Sequence, residues 1–121
     1  MMRDKVNLAE KFAKFSEHWH PYIVAEVDDY HVKLAKVQGE FVWHTHDGED
    51  EFFLVIKGEI TIKLGDRDVT LREGELFVVA AGIEHMPVAA EEAEVLVLGK
   101  KEIKHTGDVS SFRTVENLDW L

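Results

Sequence analysis

Residues 39–58 read GEFVWHTHDGEDEFFLVIKG. The middle of this stretch, Asp47-Gly48-Glu49-Asp50, is built from turn-forming residues, and runs rich in Phe and Val flank it on both sides. The pattern predicts two antiparallel strands, Phe41–His46 and Glu51–Ile56, with a second turn at Lys57-Gly58. Residues two apart on a strand share a face, so His44 and His46 project together. Past the turn, Glu51 returns beside His46 on the partner strand, with its side chain on the same face when the register is matched. Glu51 also stands directly before the apolar run Phe52 to Ile56, where a carboxylate without a partner is costly. A metal explains that placement; the alternative is the last exposed acid of an acidic turn. A second His-x-His, His18-Trp19-His20, falls where a helical pattern ends before Pro21, with no suitably placed carboxylate or glycine after it. That pair reads as structural or exposed, a reminder that the spacing alone is not a metal site.

Working outward, the period stays at two. Further strands are expected at Tyr22–Glu26, Tyr30–Gln38, Ile60–Leu64, Asp68–Leu71, Leu76–Val79, Glu84–Val88 and Ala93–Leu98, separated by turn signals such as Gly65-Asp66 and Glu73-Gly74. Only the N-terminus has helical spacing. Asn7 followed by Glu10 suits a cap, and Leu8, Phe12, Phe15 and Trp19 form one apolar stripe that should pack on the outside of a sheet. Many short strands and one short helix make an all-β protein, an antiparallel sandwich or barrel. The expected organisation is a single domain over 1–121: a helical segment (1–20), a barrel (22–100) and a tail (101–121). In the tail, His105 to Asp108 reads as a loop, and the apolar Leu118, Trp120 and Leu121 suit a segment that folds back on the barrel or on a second subunit, a frayed end being the alternative.

Composition limits the chemistry. The 121 residues hold no cysteine, so any metal must sit on nitrogen and oxygen, and there is neither a disulfide scaffold nor a thiol nucleophile. The net charge of −10 disfavours phosphate backbones, so no nucleic-acid partner is expected. The opening MMRDKVNLAEK lacks an apolar signal core and no apolar run is long enough to span a bilayer, which makes a cytoplasmic protein without membrane contact the expectation.

His85 is a fourth candidate, although a lone histidine in apolar surroundings is more often a satisfied core residue than a ligand. Gly74 and Gly82 permit turns around the apolar strand Leu76–Val79, and His85 follows in the apolar company of Ile83, Met86, Pro87 and Val88. Together, Gly39, His44-x-His46, Glu51 and Gly58 resemble the first cupin motif, G(X)5HXH(X)3-4E(X)6G, with four residues rather than five before the first histidine. Gly74, Ala80-x-Gly82 and His85 are similar to the second motif, G(X)5PXG(X)2H(X)3N, with Ala80 where proline is usual and Ala89 where asparagine is usual. Neither departure falls on a ligand position.

The resemblance implies an antiparallel jelly-roll β-barrel in which His44, His46, Glu51 and His85 hold one divalent ion, with coordination positions left for water or substrate. Three imidazoles and a carboxylate suit Fe, Mn, Ni, Co or Zn. Strand alternation gives a provisional apolar pocket of Val42, Phe53, Val55, Ile62, Phe77 and Pro87 for a small substrate that ligates the metal through oxygen. Ile60, Leu64 and Val79 also face inward; Tyr30 and Lys36 belong to the rim or to solvent. Phe41 and Trp43 are expected on the face away from the ligands, covered by the helix or by a second subunit, and small cupins resemble one another in forming homodimers. For function the resemblance implies a quercetinase-like, metal-dependent dioxygenase in which Glu51 doubles as catalytic base. The alternatives are a non-redox isomerase, lyase or cyclase, and a small-molecule binding module without turnover. Thiol dioxygenases usually lack the glutamate, phosphomannose isomerases carry a different ligand pattern, and a cupin regulator needs a DNA-binding domain for which this length leaves no room.

Overall fold

The computed structural model describes residues 2–101 and 118–121. A single helical turn, α1 (Leu8–Phe12), precedes seven strands: β1 (Tyr22–Val27), β2 (Tyr30–Glu40), β3 (Glu51–Lys57), β4 (Glu59–Lys63), β5 (Asp68–Arg72), β6 (Leu76–Val79) and β7 (Met86–Lys100). All the strand ladders are antiparallel and run in the order β1-β2-β7-β3-β6, with β4 bonded to both β5 and β7. This is an antiparallel jelly-roll β-barrel whose ladder stays open between its edge strands.

Strand β7 organises it. Along one side it pairs with β2. Along the other, Met86 to Val88 pair with β4 and Glu94 to Leu98 with β3. The two strands expected at Glu84–Val88 and Ala93–Leu98 are therefore one. The run Ala90-Glu91-Glu92 between them forms a bulge: Ala89 faces Gly39 and Ala93 faces Val37, so three residues of β7 oppose one of β2. At this corner the β3–β4 turn passes so close that a Cβ on Gly58 would meet the Ala93 Cα and Cβ at 3.1 Å, and Gly58 has φ +85°.

Strand β2 buries both faces. Lys33, Ala35 and Val37 point inward, while Leu34, fully buried, packs outward under Phe12, Phe15 and Val24. The N-terminal segment thus covers the outside of the sheet as its apolar stripe predicts, and Asn7 caps it by accepting from the Glu10 N–H at 3.0 Å. The helix is shorter than the stripe. It ends at Phe12, and Trp19 takes a left-handed backbone (φ 61°) that swings its ring away from Phe12 and Phe15 into the main core. The end of the tail returns to its own chain: Ile23 N–H donates to the Asp119 carbonyl at 2.9 Å and Leu121 N–H to the Ile23 carbonyl at 3.0 Å. The loop expected at His105 to Asp108 lies outside the described residues. No helix among those described is long and apolar enough to cross a membrane.

Candidate metal centre

The segment from Phe41 to His46 is extended but belongs to no ladder. Its pairing is local: Phe41 N–H donates to the Pro87 carbonyl at 3.0 Å, and His44 and His85 exchange two backbone hydrogen bonds, each 3.0 Å. The same loops are clasped once more, by Gly82 N–H on the His46 carbonyl at 3.0 Å and by Ala81 N–H on Asp50 Oδ1 at 2.9 Å. Two sequence-distant turns are so held against each other. Glu51 enters from the first position of β3.

The result brings all four side chains singled out in the sequence to one point: one ligand atom from each of His44, His46, Glu51 and His85 lies within 4.8 Å of the others. The three imidazoles are buried. The Nε2 atoms of His46 and His85 stand 2.6 Å from Glu51 Oε2 and 2.7 Å from Oε1, and that of His44 is 3.6 Å from Oε1. Burial alone would push the Glu51 carboxyl up, but its contacts with the three histidines outweigh this and hold it well below the usual carboxylate range. Burial likewise opposes a charge on His46, and the neighbouring carboxylates of Glu51 and Glu49 overcome it and raise that ring.

Tautomers follow from the second ring nitrogen. His44 Nδ1 lies 2.9 Å from the Val42 carbonyl and His85 Nδ1 2.9 Å from the Ile83 carbonyl. A carbonyl only accepts, so both Nδ1 atoms carry a proton, and in the neutral rings that a metal takes both Nε2 lone pairs face Glu51. His44 Nε2 is buried without a hydrogen-bond partner. Three imidazole nitrogens and a carboxylate meeting beneath the surface are a donor set that fits a divalent transition metal.

A cavity opens beside the cluster, with His44, His46, Glu49, Glu51 and Lys33 at its polar end and Trp19, Phe41, Phe53, Val95 and Pro87 among its apolar walls. Of the six expected pocket residues it takes Phe53 and Pro87. Val55 and Ile62 are fully buried in the core, Val42 packs partly buried against that core, and Phe77, on edge strand β6, borders a separate shallow hollow with Leu64 and Ile83. Phe41 departs from expectation because its segment escapes strand alternation: it turns inward, 9% exposed, stacked on Trp19 at 4.7 Å and edge-on to His44 at 5.3 Å. Trp43 does stay outside. Lys36 faces outward, donating to the Phe15 carbonyl at 2.7 Å, and Tyr30 is exposed. The histidines of the other His-x-His are apart from the centre: His18 meets Glu92 at 2.7 Å and His20 stacks on Tyr22. Lys33 and Glu49 are the polar cavity residues that the sequence reading passed over. Counting by twos back from Val37 reaches Lys33, and that signal was available.

The sequence model of the cupin domain family matches residues 30–99. Among solved structures, a cupin-2 domain containing protein from Shewanella frigidimarina is 43% identical and superposes with a TM-score of 0.79, covering 79% of this chain and 94% of that one. An uncharacterized Bacillus subtilis protein, YdbB, is 35% identical over 63% of this chain and 62% of its own length. A 3-hydroxyanthranilate 3,4-dioxygenase of Aspergillus fumigatus is 25% identical over 69% of this chain and 46% of its own. The chain therefore spans less than two thirds of either of these two relatives.

Proposed function

The chain belongs to the cupin domain family, and from that premise we propose that it is a metal-dependent dioxygenase acting on a small substrate that ligates the metal through oxygen. The observation that carries the reading is the set of buried imidazole nitrogens, His44 Nε2 foremost, gathered with the Glu51 carboxylate at one point. Similarity to a 3-hydroxyanthranilate dioxygenase supports the choice of reaction class.

His44, His46, Glu51 and His85 would hold the ion. Such an ion supplies Lewis acidity to a bound oxygen atom and, when redox-active, a route for electrons to dioxygen. The chain's own contribution is positioning. The Val42 and Ile83 carbonyls hold the Nδ1 protons, so that Nε2 of His44 and His85 stays available and neither ring rotates. Glu51, ionised well below its ordinary range, is a weak base. It serves the reading as a ligand before it serves as the proton acceptor expected of it. Phe41, Phe53 and Trp19 form walls that exclude water and suit a flat apolar body.

The test has two arms. Elemental analysis of the purified protein should find about one divalent ion per chain, lost in His44→Ala. Oxygen uptake by the Fe(II)-loaded protein offered an enediol or a catechol then reads the reaction; metal without uptake across a broad panel would remove the dioxygenase assignment and leave the metal centre standing.

We also read the protein as a homodimer. Edge strand β6 exposes Leu76 and Val78, and Ile83 follows close by, giving an apolar strip on an edge that is unpaired among the described residues, of the kind a second copy covers.

A further inference from the structure

Lys33 is 5% exposed, yet among the described residues its ammonium makes no hydrogen bond and no ion pair. Burial opposes its charge, the carboxylates of Glu51 and Glu49 favour it, and the side chain lines the cavity. Its surroundings are shaped to keep it. A Cβ at residue 99 would stand 3.0 Å from Lys33 Nζ and 3.6 Å from Glu49 Oε1, so Gly99 leaves the space the ammonium fills. Neither carboxylate closes an ion pair with it among the described residues: Glu49 Oε2 accepts from the Lys100 N–H at 2.7 Å, and Glu51 is shared among three imidazoles.

Register places Lys33 relative to the metal centre. Lys33 is opposite Val97, and Val97 is opposite Phe53, so the three stand in one row across β2, β7 and β3 on the inward face. Phe53 lies edge-on to His85, with ring centres 6.1 Å apart. Two strand spacings of roughly 5 Å therefore separate the base of Lys33 from the strand that carries Glu51. Charge points the same way. With a divalent ion on the cluster, the Glu49 and Glu51 carboxylates balance it and the Lys33 ammonium is the uncompensated charge of the cavity.

We propose that Lys33 anchors an anionic group, a carboxylate, on a small aromatic ligand whose oxygen atoms reach the metal centre. The inference rests on the metal-binding reading above and narrows its substrate class to monoanions. Lys33 is a positioning residue and no reacting atom touches it.

The experiment uses Zn(II)-loaded protein, in which no turnover intervenes, and titrates it by calorimetry with protocatechuate and with the amide of protocatechuate. The two probes present the same paired hydroxyls and differ in one charge. The wild type should prefer the acid by roughly tenfold or more. Lys33→Met should bind acid and amide alike, with its zinc content and its affinity for the amide unchanged, and Lys33→Gln, a second variant that keeps a polar head, should lose the preference as well. A zinc-loaded wild type that binds both probes alike or neither, or a preference that persists in both variants, overturns the inference alone. A wild type that retains no zinc overturns the metal centre and this inference with it.

Discussion

Replacing His85 by alanine separates the cost of an imidazole from the benefit of an ion. The His85 ring is 1% exposed and makes two polar contacts, Nδ1 with the Ile83 carbonyl and Nε2 with Glu51, at 2.9 and 2.7 Å. Deleting a buried ring of this kind costs about 2–4 kcal/mol from the void and the lost contacts. Unfolding entropy of roughly 2.1 cal/mol/K per residue over 121 residues gives about 0.25 kcal/mol per degree, so the metal-free variant should melt about 8–16 °C lower. The effect of metal is separate. A ligand that binds only the folded state adds about 2.7 kcal/mol at a hundred times its Kd, a rise of about 10 °C on the same scale. Scanning fluorimetry with and without Zn(II) reads both quantities. The wild type should show the rise, and His85→Ala should show a lowered baseline with little or none of it. A variant that keeps the full metal-induced rise, or that carries undiminished metal by elemental analysis, would refute the reasoning, because the fourth ligand would then be dispensable.

Three further outcomes are expected. Gly58→Ala forces a side chain into a left-handed position 3.1 Å from Ala93, and should cost about 1–3 kcal/mol in a urea titration with little change in slope. Tyr22 donates to Glu17 Oε2 at 2.7 Å, and that bond, with burial, pushes the phenol up to about 12. Because the folded value is the raised one, the stabilisation is complete below roughly pH 10, where an unfolded tyrosine ionises, and is lost as pH climbs through the folded value. Ultraviolet titration of the phenol should show one of the two tyrosines ionising late, and Tyr22→Phe should abolish both the late step and this part of the alkaline fall. Val78→Lys places a charge on the apolar edge of β6 and should convert the homodimer to monomer by analytical ultracentrifugation, with metal content untouched; a variant that sediments as the wild type does would remove β6 as the interface.

Residue type and spacing made the strands and the ligand set legible for definite reasons. Alternation in β3 and β4 reports a sheet with one buried face, and His44, His46, Glu51 and His85, which the fold brings together, are recognisable because residue type and spacing match the two cupin motifs jointly. Legibility ended where the backbone left the ladder. Phe41 to His46 has the composition of a strand, but only its neighbours in space decide that it pairs locally with the loop at His85 and so turns Phe41, not Val42, into the cavity. The bulge at 90–92 was unreadable for a similar reason: Glu91 and Glu92 look like a turn, and only the partner strand shows that β7 runs through them. Lys33 was obscured by ordinary prejudice about lysine. Its count from Val37 already put it inside.

The backbone carbonyls that orient His44 and His85 come from positions 42 and 83, two residues before each ring. Any amino acid at those positions offers the same oxygen, so the aim of the two imidazoles is insulated from changes in side chain there. Substitutions in the cavity walls can consequently redraw its shape and polarity, one residue at a time, while the backbone geometry that gathers the four donor side chains stays as it is.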